Sequence, residues 1–261
     1  MDVISTLTVD KAVIVIKAAM MKTLVIQSCS EENIPSWIEA CLDSVRVWTE
    51  QQRYHRCFVG DEIFDLVPDW YLAKTGRGPV ATDYARLILL REALANQGYD
   101  QAIWLDADMF VLDPTMTLDS PGSCAFGQEI WIQEESGKLR ARKNVHNAVC
   151  QFRRGCVVLP FLIETVTSII RRANPDKIAP QMVGPKLLSA LHSLHDFDLL
   201  PQVGAISPEV ARDIVAGGGA ALSLLQEKLR YPLQAVNLCA SLMDDEQGAL
   251  VIAGLPLLTC H

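Results

Sequence analysis

The run Gln101-Ala-Ile-Trp-Leu-Asp-Ala-Asp-Met-Phe-Val-Leu-Asp-Pro114 constrains this chain more than any other part of it. Two apolar stretches meet at a pair of carboxylates, Asp106 and Asp108. Gln101 to Leu105 reads as a short buried strand that ends at Asp106. Residues i and i+2 of an extended chain share a face, so both carboxylates can reach one cation. Hard carboxylate oxygens suit Mg²⁺ or Mn²⁺, ions that keep open positions for substrate phosphates. The plain alternative is an aspartate that caps the turn at its strand end. Asp196-Phe-Asp198 repeats the bare pattern, but no long apolar strand precedes it.

The surrounding segments alternate strand and helix. Thr23 to Gln27 is apolar and β-rich, with Ser28-Cys-Ser ending it. Ile34, Trp37, Ile38, Cys41, Leu42, Val45 and Trp48 recur at helical spacing behind Pro35. Tyr54 to Val59 is a second strand, followed by an acidic segment and a loop at Lys74–Pro79. Ala81 to Gln97 is a helix rich in Leu, Ala, Arg and Glu, and Gly98 stops it. This order predicts an α/β domain with a mostly parallel sheet, whose ligands bind beyond the carboxyl ends of the strands. Later come strand-like pieces near Cys124–Gln128 and Val145–Phe152 and a helix near Leu162–Arg172. A second helix opens at Gly184-Pro185, and Gly217-Gly-Gly219 breaks the chain. The expected division is an extension over 1–20, a main domain over 21–215 and a C-terminal subregion over 216–261.

Composition narrows the class. Half of the 261 residues are hydrophobic and 21% are charged, which excludes a disordered chain. The net charge of −8 weighs against a nucleic-acid partner, because phosphate neutralisation needs a basic surface. The mean hydropathy of +0.19 calls for a large core or an apolar docking face. The eight cysteines contain no Cys-x-x-Cys and are expected as buried thiols of a reducing cytosol. Ala12 to Ile16 is broken by Lys17 and preceded by Asp2 and Asp10, unlike a secretory leader. Cytoplasmic placement is therefore expected.

Ala81-Thr-Asp-Tyr-Ala-Arg-Leu supplies the second element. Asp83 and Arg86 lie one turn apart on one side of the helix. They read either as a surface i,i+3 ion pair or as ligands, Asp83 for sugar hydroxyls and Arg86 for a carboxylate or phosphate. Trp37, Trp48 and Trp104 read as core. His192 and His195 read as residues near a helix end, where a cation favours the dipole. Arg140-Ala-Arg-Lys143 and Arg153-Arg154 read as solvated basic groups that could equally meet a diphosphate or an anionic acceptor.

Taken together, (S/T)-Asp-x-x-Arg, a helix, and an apolar strand into Asp-x-Asp over Ala81–Pro114 resemble glycosyltransferases of the GT-A fold. The group with a DXD sugar-binding region is the nearest in look, a family 32-like set related to capsular polysaccharide and mannosyl transferases. The resemblance extends from Met21 to about Pro208 through Asn147, Val183-Gly-Pro-Lys186, Leu200-Pro and Ser207-Pro208. It implies a Rossmann-like sheet, a nucleotide-sugar donor, a glycan or lipid-linked acceptor, Mn²⁺ or Mg²⁺, and retention at the anomeric carbon. It also implies site roles. Asp108 would bind the metal, and Asp106 the metal and the ribose. Asp83 and Arg86 would hold the donor sugar near Asn147, Gly184 and Pro185, with Gln27 and Ser28 near the base. A lipid-linked acceptor would bring the chain to the inner face of the membrane.

One position departs from the family. Members often close the site with a late His, whereas Ala235-Val-Asn-Leu-Cys-Ala240 carries Asn237 there. Asn237 is then expected as a weaker third metal ligand. Two other readings remain beside the transferase. One is a nucleotide-sugar-binding relic with a weakened site. The other is a phosphatase of the haloacid dehalogenase type, which also follows an apolar strand with Asp-x-Asp but prefers Thr or Val where Phe110 stands.

Overall fold

The computed structural model describes residues 4–9, 12–17, 21–194 and 197–258, the first two segments by their backbone path alone. His195, Asp196, Cys260 and His261 lie outside the described residues. Within the expected extension, strands β1 (Ile4–Val9) and β2 (Ala12–Lys17) pair antiparallel with each other.

The main sheet has six strands. They are β3 (Thr23–Ser28), β4 (His55–Val59), β5 (Gln101–Leu105), β7 (Cys124–Glu135), β8 (Lys138–Arg153) and β9 (Asp198–Leu200). Their spatial order is β4-β3-β5-β8-β7-β9. The β3/β4, β3/β5 and β7/β9 pairs are parallel, and β8 runs antiparallel to both of its neighbours. The fold is thus the expected mixed α/β arrangement with a mostly parallel central sheet. A smaller sheet joins β6 (Met109–Val111), β10 (Val203–Ala205) and β11 (Ala235–Asn237), with β11 in the middle. The C-terminal subregion therefore supplies the strand that ties β6 to β10.

Helices cover both faces of the main sheet, which is why β3 and β5 read as continuous apolar runs. Alternate residues of a strand point to opposite sides. Leu24, Ile26, Ala102 and Trp104 pack with helix α3 (Pro79–Ala95) and helix α4 (Val158–Arg172). Val25, Ile103 and Leu105 pack instead with Val45 and Trp48 of helix α1 (Ser36–Gln52). Helix α5 (Pro185–His192) packs on β8, and α6 (Pro208–Val215), α7 (Ala220–Lys228) and α8 (Asp245–Gly254) enclose a separate core with Trp37 and Ile132. Gly217 and Gly218 take positive φ between α6 and α7, the breaker expected of them. Trp37, Trp48 and Trp104 are all buried core residues, as read from the sequence.

Two segments differ from expectation. The stretch taken as an acidic segment and loop folds as a helical turn over Asp61–Leu66 and helix α2 (Asp69–Thr75), with only seven residues in α2 to show a period. The two strand pieces near Cys124 and Val145 are the inner ends of one long hairpin. Its turn is Ser136-Gly137, both at positive φ, the geometry that suits strand twist in a two-residue loop. The polar, charged sequence of its outer half hides it, because Ile130 and Ile132 alternate there with Glu129, Trp131 and Gln133.

The hairpin register shifts between Phe126 and Gly127. A Cβ on Gly127 would fall on the His146 imidazole, which occupies the space above the glycine. Gly127→Ala should therefore cost about 1–3 kcal/mol of stability in urea denaturation. Adding His146→Ala should return most of that loss, because the two groups compete for one volume.

Candidate active site

The turn Asp106-Ala107-Asp108 joins β5 to β6, so a core strand fixes one side of it and the small sheet the other. Asp106 keeps the facing of Trp104 two residues earlier, toward α3. Trp104 Nε1 donates to Asp106 Oδ1 at 2.6 Å. Arg86 of α3 meets the same oxygen at 3.2 Å and reaches Asp83 Oδ1 at 3.2 Å. Its guanidinium also donates to the Asn147 carbonyl at 2.6 Å and lies 4.9 Å from the Trp104 ring centroid.

Asp83 and Arg86 are each only 6% exposed, so the surface ion-pair alternative is excluded. Helix α3 is buried nearly all round, and a charged pair on it has no water to face. Asn147 Nδ2 donates to Asp83 Oδ1 at 2.7 Å. A Cβ on Gly184 would lie 2.7 Å from Asp83 Oδ2 and 2.8 Å from Asn147 Nδ2, so glycine is what lets the Gly184-Pro185 turn close over this pair. Five of the sequence-derived residues, Asp83, Arg86, Asp106, Asn147 and Gly184, thus form one contiguous network.

Asp108 is held from the C-terminal subregion. Asn237 Nδ2 donates to its Oδ1 at 2.6 Å, and the Ala240 amide donates to its Oδ2 at 2.8 Å. The Asn237 carbonyl oxygen instead accepts from the Cys239 amide at 2.9 Å. The side chain expected as a third metal ligand therefore presents its nitrogen to Asp108 and orients that carboxylate. Turning its oxygen outward would cost both hydrogen bonds. Among the described residues, no three His, Cys, Asp or Glu side chains gather into a metal cage.

Two cavities share the Asp106–Asp108 wall. The smaller, about 540 Å³, opens at the carboxyl end of β3 (Ser28, Cys29) and the N-terminus of α3 (Gly78, Thr82), with Arg86 on its floor. The larger, about 720 Å³, lies on the other side and includes Asn147, Pro185 and Asn237. Ser28 thus lines the smaller cavity. Gln27 is fully buried with its carbonyl oxygen accepting from Arg56 Nε at 3.1 Å, and it lies on neither cavity wall. The basic groups at Arg140–Lys143 and Arg153-Arg154 also stand outside both cavities, and Arg142 pairs with Glu135 at 2.7 Å. Asp198, in the second Asp-x-Asp, accepts from the Ser120 hydroxyl and the Gly122 amide, a turn-capping role.

Sequence reasoning missed Trp104 as a site residue, although its spacing two before Asp106 signals a shared face. It also missed Glu129, Trp131, Gln133, Asn144 and His146, which line the larger cavity from β7 and β8.

Charge dominates the site. The site holds three carboxylates and one guanidinium, which meets Asp83 and Asp106 but not Asp108. Burial pushes the Asp83 carboxyl up to about 6 against the pull of Arg86. Burial, reinforced by the charge of Asp106, pushes the Asp108 carboxyl up to about 6 as well. Burial also raises the Cys150 thiol to about 12, so it remains a neutral donor to the Asn147 carbonyl at 3.3 Å.

The sequence matches no protein-family model and no curated protein sequence. Its backbone is similar to three solved glycosyltransferase structures. The first is a glycosyltransferase involved in the glycosylation of the major capsid of PBCV-1, at 11% identity over 88% of this chain and 99% of that one, TM-score 0.48. The second is mouse xyloside xylosyltransferase 1, at 10% identity over 86% and 99%, TM-score 0.46. The third is the galactosyltransferase LgtC with donor and acceptor sugar analogues, at 14% identity over 88% and 95%, TM-score 0.42. Likenesses this distant leave function to be read from the site itself. Among the described residues, no helix is long and apolar enough to cross a membrane.

Two outcomes follow from the network. Arg86→Ala leaves buried carboxylates without a cation and should lower unfolding free energy by about 3–5 kcal/mol in chemical denaturation. The second concerns pH. Folding raises the Asp83 and Asp108 values above the unfolded 3.8, so the folded state binds protons more tightly. Their stabilising contribution is full below about pH 4 and is lost as pH rises through 6. Asp108→Asn should therefore gain on the wild type by on the order of 1–3 kcal/mol between pH 4.5 and 7, measured by urea unfolding at both pH values.

Proposed function

We propose that this chain is a glycosyltransferase of the GT-A type that moves a sugar from a nucleoside-diphosphate donor to a glycan or lipid-linked acceptor. One observation carries the reading. Asp106 and Asp108 stand on the wall between two cavities, one suited to a nucleotide and one to sugar. The smaller cavity lies where α/β sheets take ligands, beyond the strand ends and at the first turn of the 17-residue helix α3, whose amides and dipole favour phosphate.

The residues present fit a divalent cation. Three carboxylates against one guanidinium leave a deficit of positive charge, and Asp108, raised first by burial and then by the charge of Asp106, has no cation of its own. Asp106 and Asp108 would hold Mn²⁺ or Mg²⁺, with donor phosphates completing the shell, since such ions use one or two carboxylates and keep other positions open. When bound, the ion neutralises charge developing on the departing diphosphate. The rest of the work belongs to the protein. Asn237 and the Ala240 amide fix both oxygens of Asp108. Trp104 and Arg86 fix Asp106. Asp83 acts through Asn147, which lines the larger cavity and would meet the transferred sugar. Retention comes from the family resemblance and is read from the anomeric configuration of the product. The phosphatase alternative gains no observation from this geometry, and the relic differs only in turnover.

The test pairs binding with turnover. UDP and GDP with Mn²⁺ should raise the melting temperature more at pH 7.5 than at pH 5.0, because protons compete for Asp108. A site filled to 100 times its Kd adds about 2.7 kcal/mol. Hydrolysis of UDP- and GDP-sugars should need Mn²⁺ and should fall at least tenfold in Asp108→Asn. Mn²⁺-dependent hydrolysis that survives that substitution refutes the metal assignment. Nucleotide binding without turnover identifies the relic, and cleavage of p-nitrophenyl phosphate instead identifies the phosphatase.

A further inference from the structure

The hairpin β7–β8 continues well past the edge of the main sheet, and its two faces have opposite characters. Ile130 and Ile132 face inward and are 6% and 0% exposed, packed in the core with Leu222 and Leu225 of α7. Glu129, Trp131 and Gln133 alternate with them and face the larger cavity, opposite Asn144 and Arg142 across the hairpin. An indole left half-buried among polar side chains gains nothing for this core. It offers a flat apolar face to whatever enters the cavity.

The groups around the ring are those that hydroxyls satisfy. Asn144 Nδ2 donates to Glu129 Oε1 at 2.9 Å and fixes that carboxylate beside the indole. His146, 4% exposed, stands further along the same wall. Its Nε2 lies 3.0 Å from the Val203 carbonyl, which can only accept, so Nε2 carries the hydrogen. The buried Nδ1 is then an acceptor with no hydrogen-bond partner among the described residues. Gly127 gives up its side chain to hold this imidazole in place. The three carboxylates Glu129, Asp106 and Asp108 outweigh Lys186 on the same wall and make it negative. An anionic ligand is disfavoured there.

We infer that the polar face of this hairpin, centred on Trp131 with Glu129, Asn144 and His146, is a platform for a neutral saccharide, the acceptor of the transferred sugar. The indole stacks on the C–H face of a pyranose ring, Glu129 accepts from its hydroxyls, Asn144 holds Glu129 in position, and the imidazole of His146 backs the wall beside them. The identification of this saccharide as an acceptor rests on the transferase reading above; the platform itself rests on the hairpin. A ring stacked here lies across the Asp106–Asp108 wall from the nucleotide cavity, as the two substrates of a transfer must.

Saturation-transfer NMR tests this with lactose, maltose and methyl α-D-mannopyranoside as neutral probes and glucuronate as the anionic control. At least one neutral probe should receive saturation at its ring C–H protons from the wild type, and glucuronate should receive less. The signal should fall at least fivefold in Trp131→Ala and in Glu129→Gln and be largely kept in Trp131→Phe. The melting temperature of each variant without ligand serves as the control on folding, and the thermal shift given by UDP with Mn²⁺ reports nucleotide binding separately. Equal signals from wild type and Trp131→Ala, preference for glucuronate, or no signal from any neutral probe with the wild type would overturn the platform. Saccharide binding that depends on Trp131, with no nucleotide binding, would uphold the platform and overturn the transferase.

Discussion

A single guanidinium holds the centre of this molecule together. Arg86 sits inside a helix that has almost no solvent-facing side, between two carboxylates, a backbone carbonyl and the face of an indole. A buried charge is tolerated only when its surroundings complete it. Asp83 comes from the same helix, Asp106 from the end of the central strand and the Asn147 carbonyl from β8. Helix α3, the strand β5 that follows it and the more distant β8 are therefore fixed to one another by one group. The Asp-x-Asp turn takes its orientation from this junction, and the two cavities take their shared wall from that turn.

The same junction leaves the site short of positive charge. One cation serves three carboxylates, and Asp108 draws only dipolar partners, an amide nitrogen and a backbone N–H. Such a site stores an electrostatic cost in the free protein, the cost that the proposed cation would relieve. That cost links the chemistry proposed here to the instability expected near neutral pH.

Much of this was legible in the sequence because it is written locally. Asp106 and Asp108 stand two apart after an apolar strand, and Asp83 and Arg86 one turn apart on a helix, so period and spacing suffice to pair them. The parallel core was legible for the same reason, since both faces of β3 and β5 are covered. What stayed hidden is written across strands. Asn237 shows its polar character in sequence, but the direction of its amide is settled by Cys239 and Asp108 together. Gln27 stands at a strand end like Ser28, but strand alternation turns it to the opposite face, where Arg56 on β4 donates to it. The outer half of the β7–β8 hairpin was obscured by charge. Its apolar alternation spans only Ile130 and Ile132 on β7, and the Ser136-Gly137 turn is a weak signal without both strands in view.

The strand β11 lies between β6 and β10, and Asn237 on it meets Asp108 across 129 residues of chain. Asp83 and Asn147, by contrast, are 64 residues apart. Closing a loop costs free energy that grows slowly with its length, so the longer closure is affordable but is among the later contacts a growing chain can make. During synthesis the sheet around β3, β5 and β8 can assemble with Arg86 already enclosed, while Asp108 still projects without its donors. The emerging chain would thus enclose Arg86 first, and the orientation of Asp108 would wait for β11 and the Ala240 amide to follow.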